Sequence, residues 1–249
     1  MRQREPYFDK PGLSFHQLQD FRKSPRYYYR KHVQRILKDE DRPSYVLGRA
    51  VHCLTLEGKA AFDTRFVCVP PEYLTPSGAV STSKDAKAWR DAQTCDILSP
   101  SDYDLVKVMA ERVHENDLGM LDSGNAEVER LGMMAGIQVK GKADWICELD
   151  GVATVIDLKT CFSLDSFEDD AKKYGYDRQK AWYMRLFECP QHYLIAVENS
   201  EPHRVGMFRF GIDRIASANA TIDLLLKEYS RCQLTDQWAD WPSSITEIN

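Results

Sequence analysis

The chain first lacks long apolar runs. No stretch of its 249 residues approaches the roughly 18 apolar residues that cross a bilayer, and the opening MRQREPYFDK has no apolar core of a secretion signal. The expectation is a cytoplasmic protein with no membrane part. The seven cysteines (Cys53, Cys68, Cys95, Cys147, Cys161, Cys189 and Cys232) are odd in number, scattered and never spaced CxxC. That speaks against a zinc ribbon or a disulfide framework and for reduced, structural thiols. The G-x-x-x-x-G-K-[ST] phosphate loop is missing, as are internal repeats and low-complexity tracts. A hydrophobic content of 43% is enough for a sizeable core, in one large domain spanning residues 1–249.

A large charge of one sign is also lacking, at −5 overall, but the distribution is uneven. Residues 1–38 hold ten Lys/Arg against three Asp/Glu, net +7, while the other 211 hold 23 against 35, net −12. The excess centres on FRKSPRYYYRKHVQRILK, where Arg26, Arg30 and Lys31 alternate with Tyr27, Tyr28 and Tyr29. Such a segment suits a phosphate backbone with stacking platforms. The plainer alternative is a solvated helix whose tyrosines pack on the core.

Apolar periodicity and punctuation give an alternation of helices and strands. Helices are expected from a Ser14 cap to about Arg22, from Pro25 to Leu37, and from Ser44 to Gly58. The Pro- and Ser-rich stretch Phe66–Lys84 reads as a long loop, and residues 102–116 as a helix. Strands follow at Ala126–Met133, Ile137–Leu149 and Val152–Thr160, then a helix at Ser166–Phe187. Strands near Tyr193–Glu198 and Val205–Phe210 and a helix at Asp213–Arg231 complete the order. This is an α/β fold, a mixed sheet with helices on its faces.

The stretch GKADWICELDGVATVIDLKT carries the chemistry. Asp150-Gly151 suits a two-residue hairpin turn, which pairs Leu149 with Val152. Extended inward, that register opposes Asp144 to Asp157 and Lys142 to Lys159. Like charges opposed on one sheet face are destabilising, and the flanking VATVI reads as a buried strand. A diagonal charge lattice on the surface is one answer. A divalent cation between the carboxylates, Mg²⁺ or Mn²⁺, is the other. Lys159, two residues beyond Asp157, projects to the same side and can orient an attacking water or stabilise phosphate charge. On the opposed-charge argument, removing the Asp157 carboxylate relieves repulsion, and metal-free stability should hold or rise.

Four motifs together resemble the PD-(D/E)xK nuclease superfamily, specifically its RecE-like branch of phage and prophage exonucleases, related to exonuclease VIII and RecB-type nuclease domains. They are LGRAVHCLTLEG, GKADWI, VIDLKT and QKAWY, supported by Ser24-Pro25. The resemblance implies a restriction-endonuclease-like core at residues 120–215, with an N-terminal helical part at residues 1–60 carrying His52. It implies metal ligation by His52, Asp144, Asp157 and the Leu158 carbonyl, with Lys159 catalytic. Gln179 and Tyr183, four apart on one helix face, would serve the site or the DNA backbone. An acidic residue on the first strand is implied as well; Glu127 and Glu129 both fit, and Glu127 is preferred. The family's iron–sulfur members bunch three cysteines near the C-terminus, whereas only Cys232 lies beyond residue 200 here, so no cluster is expected.

The implied activity is metal-dependent hydrolysis of linear double-stranded DNA from its ends, 5′ to 3′, leaving 3′ single strands for recombination by a single-strand annealing protein. The setting would be a bacterial or phage-infected cell, and the assembly a ring-like homo-oligomer, trimer or tetramer, with Arg26, Arg30 and Lys31 gripping DNA. A single-strand or structure-specific nuclease on the same core, and a non-catalytic DNA-binding scaffold, are the alternatives.

Overall fold

The computed structural model describes residues 6–38 and 43–241. Residues 1–5 of the basic segment, with Arg2 and Arg4, lie outside it, as do residues 39–42 and 242–249. The chain opens with α1 (Pro6–Asp9), β1 (Leu13–Ser14), α2 (Phe15–Lys23) and α3 (Pro25–Tyr28), the last continued as a π-helix to Val33. Ser14 caps α2 through a full capping box, its hydroxyl accepting from the Gln17 N–H while the Gln17 side chain accepts from the Ser14 N–H. Next come α4 (Pro43–His52), a π-helical segment (Cys53–Glu57), α5 (Gly58–Arg65), β2 (Phe66–Cys68), α6 (Lys84–Ala92), β3 (Asp96–Leu98) and α7 (Pro100–Asn116). The second half holds β4 (Gly124–Met134), β5 (Ile137–Leu149), β6 (Val152–Cys161), α8 (Phe167–Tyr174), α9 (Tyr176–Phe187), β7 (Gln191–Glu198), β8 (Val205–Phe208) and α10 (Ile212–Thr235).

Six strands form the main sheet in the order β1-β5-β6-β7-β8, with β4 also on β5. The β6–β7 and β1–β5 pairs are parallel and the others antiparallel, so the sheet is mixed as expected. One face packs on α2, α9 and α10 through Phe15, Leu18, Trp182, Leu186, Ile222 and Leu226. The other packs on α4, α5 and α7 through Val51, Phe62, Val106, Met109, Ile156 and Leu158. Burial of both faces explains why β6 reads as an apolar run rather than an alternation. No helix among the described residues is long and apolar enough to cross a membrane.

The structure departs from the sequence reading in several elements; the helix expected over Pro25–Leu37, for one, ends at Val33. The stretch expected to be one loop begins with β2, which pairs in parallel with β3 as a separate two-stranded sheet. Helix α6, capped by Ser83, follows it. The helix expected over Ser166–Phe187 is broken by Gly175, whose left-handed backbone (φ +72°) ends α8 and starts α9.

Candidate active site

Asp150 and Gly151 both take positive φ, 52° and 75°, the backbone of a tight hairpin turn. The expected register holds from Leu149↔Val152 through Trp145↔Ile156. There the ladder stops, one step short of Asp144 and Asp157. β1 takes the place of β6 beside β5 at Val139 and Lys140, while β6 runs on along β7. The strands fork, and the expected face-to-face opposition of Asp144 with Asp157 and of Lys142 with Lys159 does not form.

The fork sorts the charges. Asp144 Oδ2 accepts the Leu158 backbone N–H at 3.1 Å, a donor freed because the ladder has ended. Asp157 is 1% exposed and lies between two ammonium groups, Lys159 and the wholly buried Lys180 of α9, whose Nζ is 3.0 Å from Asp157 Oδ1. Burial alone would raise the Asp157 carboxyl, but the two lysines outweigh it and hold it well below the usual carboxylate range. Burial likewise opposes the charge on Lys159, yet Asp157 and then Asp144 raise its pKa. Lys180 goes the other way: burial, aided by Lys159, outweighs Asp157 and lowers it.

His52, the last residue of α4, brings Nδ1 to 3.4 Å from Asp144 Oδ2. Glu127 sits opposite in β4, ion-paired with Lys142. Its pKa is raised, first by burial and further by Asp144 and Glu57, against the pull of Lys142. Glu129 instead pairs with Lys10. Residues two apart on a strand normally share a face, but Glu127 has φ +54°, a left-handed backbone unusual for a side-chain-bearing residue. Ala126 and Trp145 accordingly pack on the α4–α7 side, while Val128 and Ala143 pack on the α9–α10 side. Gln179 and Tyr183 are both buried on the α9 face that carries Lys180. Burial, then the two aspartates, raise the Tyr183 hydroxyl well above its ordinary value, partly offset by a hydrogen bond with Gln179.

The match to known proteins follows this geometry. The profile of the PDDEXK-like domain of unknown function (DUF3799) fits residues 14–245. The chain belongs to this PDDEXK-like family. No curated protein matches it. Among solved structures, a Eubacterium rectale protein described as a "putative exonuclease" superposes with a TM-score of 0.66 at 15% identity, over 96% of this chain and 90% of that one. That likeness establishes the restriction-endonuclease-like fold. A phage-related exonuclease from Haemophilus somnus 129PT matches at 16% identity over 61% of this chain and 86% of that one, with a TM-score of 0.30, too low to argue from.

Two residues of this PDDEXK-like site escaped the sequence reading. Lys180 is one; its signal was its spacing, one turn after Tyr176 and one before Tyr183, on the face that meets β6. Tyr176 itself lies under the Lys159 ammonium, 5.0 Å from ring centroid to Nζ. His16 of α2 is the other: it keeps exposed surface, yet is ringed densely enough that desolvation, then Lys159, lower its pKa against Asp157, Asp20 and Asp144. The basic segment divides. Tyr28 is a core residue hydrogen-bonded to Tyr229 at 2.8 Å, Tyr29 stacks on Trp238, and Lys31 pairs with Asp20 at 2.9 Å. Arg26 and Arg30 are exposed.

The donors fit a hard divalent cation in kind: an imidazole, two carboxylates and a backbone carbonyl. Both Asp157 oxygens are buried without an aligned hydrogen-bond donor, their lysine contacts being of charge rather than of hydrogen-bond geometry. No three His, Cys, Asp or Glu side chains converge as a metal cage among the described residues. His52 and Asp144 are together, while Asp157 is drawn to its lysines. A cation would therefore take over an Asp157 oxygen from an ammonium group.

Proposed function

We propose that this protein is a divalent-metal-dependent exodeoxyribonuclease that degrades linear double-stranded DNA from its ends, 5′ to 3′. The observation that carries the reading is a wholly buried carboxylate, Asp157, held ionised by two lysines at a strand fork where His52 and Asp144 already meet. A surface charge lattice needs no such burial. The family's PDDEXK character and the exonuclease description of the Eubacterium rectale protein support the same conclusion.

His52, Asp144, Asp157 and the Leu158 carbonyl would hold Mg²⁺ or Mn²⁺, which supplies charge neutralisation at the scissile phosphate and an acidified water. Asp144 accepts the Leu158 N–H and so holds this stretch of β6 in place beside it. Lys159 stays charged, and its ammonium orients the nucleophile and stabilises charge on the phosphate. Lys180 fixes the Asp157 side chain from beneath, and Tyr183 and Gln179 close that side against water. Glu127, ion-paired with Lys142, would accept a proton or position a second ion.

A ring of three or four copies would gather the basic residues around passing duplex, with the exposed Arg26 and Arg30 affecting processivity more than single-turnover rate. The 3′ strand left behind suits a single-strand annealing protein. Light scattering with and without DNA tests the ring, and a monomer that digests long duplexes processively would refute it. The activity itself is tested by offering linear and covalently closed circular duplex with Mg²⁺. Loss of the linear form alone is expected, whereas cutting of the circle would make the protein an endonuclease.

A further inference from the structure

Like charges also gather outside the acidic fork. Arg178 in the first turn of α9 and Arg214 in the first turn of α10 flank one carboxylate, Asp177, and Arg22 in the last turn of α2 lies near enough to Arg178 for their like charges to act on each other. Asp177 is buried; its Oδ2 lies 2.6 Å from Arg214 Nε, and its Oδ1 accepts the Arg178 backbone N–H at 2.8 Å. That leaves Arg178 a loose contact, 3.5 Å from Nη1 to the same Oδ1. The Arg178 side chain is 12% exposed, and its Nε–H is buried with no acceptor. Arg22 is exposed, and its guanidinium has no partner among the described residues.

Three guanidiniums against one carboxylate leave a local charge of about +2, and burial followed by the Arg22 charge makes Arg178 harder to keep protonated. A buried N–H without an acceptor costs about 1–3 kcal/mol. An oxyanion would remove both penalties. Guanidinium forks arriving from three elements suit the several oxygens of a tetrahedral group better than a flat carboxylate. Both α9 and α10 start here without a side-chain cap, at Gly175 and Gly211, which adds to the positive potential.

We propose that Arg22, Arg178 and Arg214 form a phosphate-binding site that grips the DNA strand beside the acidic fork. The cluster is built from two helices that also reach the acidic fork, α9 through Lys180 and α2 through His16, with Arg178 on a different face of α9 from Lys180. The phosphate chemistry stands on the arginines; its assignment to DNA rests on the nuclease reading. The phosphate is either the terminal 5′ monoester or an internal diester.

The test is fluorescence anisotropy of a labelled duplex in EDTA over a series of KCl concentrations, with wild type, Arg22→Gln and Arg178→Gln. Each variant should bind several-fold more weakly, and its salt slope should fall by about 0.9 per lost contact. A deficit confined to 5′-phosphorylated duplex assigns the monoester; an equal deficit with 5′-hydroxyl duplex assigns the diester. Arg22 is exposed, so its variant keeps the test valid even where Arg178→Gln fails to fold. Wild-type affinity and slope in Arg22→Gln would overturn the site. Should wild type bind no DNA, the rise in its melting temperature with inorganic phosphate decides: present in wild type and lost in Arg22→Gln supports the site, absent in wild type refutes it. Cleavage with Mn²⁺ is scored separately. Arginine-dependent binding without cleavage would sink the nuclease reading alone, and cleavage with arginine-independent binding would sink this site alone.

Discussion

Replacing Asp157 by Asn should destabilise the metal-free protein by about 3–5 kcal/mol, the usual cost of breaking a buried ion pair from one side. This reverses the sign suggested by opposed carboxylates, because the fork has set Asp157 between ammonium groups. The cost lies mainly with Lys180. Lys159 keeps 18% of its side-chain surface exposed and can turn to water, whereas Lys180 has none. Stripped of its counterion, Lys180 can instead release its proton; from about 10.4 in the unfolded chain, that costs about 4.6 kcal/mol at pH 7. The two routes agree in size. The unfolded chain then binds a proton that the folded variant does not, so the deficit shrinks by about 1.4 kcal/mol per pH unit between pH 7 and 9. Urea denaturation reads this directly: with a slope of about 3 kcal/mol per M, the midpoint should fall by about 1–1.7 M at pH 7. Adding Lys180→Met should restore most of the loss, since the stranded charge is gone. An Asp157→Asn protein as stable as wild type, or no rescue by Lys180→Met, would refute the buried triad.

Three further outcomes are expected. Mn²⁺ or Mg²⁺ at a hundredfold excess over Kd should raise the wild-type melting temperature by about 5–10 °C, and His52→Ala or Asp144→Asn should lose most of that shift; an unchanged shift in Asp144→Asn would place the ion elsewhere. Burial, with Lys180 and Arg209, lowers the pKa of His192 to about 4, and its Nε2 accepts the Phe210 N–H at 2.9 Å. Its contribution is therefore fully present above about pH 6.5 and is lost as pH falls towards 4, about 3 kcal/mol in all; denaturation against pH in wild type and His192→Gln checks this, and coincident curves would refute it. Gly141→Ala puts a methyl 2.6 Å from Leu186 Cδ2 and 3.2 Å from Tyr183 Cε1; a loss of about 1–2 kcal/mol with reduced cleavage is expected, and a silent substitution would show that α9 tolerates displacement.

The hairpin was legible because Asp150-Gly151 permits little but a tight turn, and its register followed as far as Trp145↔Ile156. The fork was not, since it depends on β1, two residues long and without periodicity, taking the edge that β6 gives up. Motif residues His52, Asp144, Asp157 and Lys159 were readable as residue types at set spacings. Their partners were not. The spacing of Lys180 from Tyr176 and Tyr183 sets its face of the helix, but only the packing of α9 on β6 buries it. The face switch at Glu127 likewise has no local signal, because neither Ala126 nor Val128 favours a left-handed neighbour. Gly175 was the opposite case, a glycine inside a helical run that could have been read as a stop.

The most direct test of the central claim is digestion of linear duplex labelled at either 5′ or 3′ end, with Mg²⁺ or EDTA, by wild type and Lys159→Ala. Release of the 5′ label first, in Mg²⁺ only, and a rate at least about a hundredfold lower in Lys159→Ala are expected. Equal digestion in EDTA, or near wild-type rate in Lys159→Ala, would contradict a metal-dependent nuclease site at the Asp157–Lys159 fork.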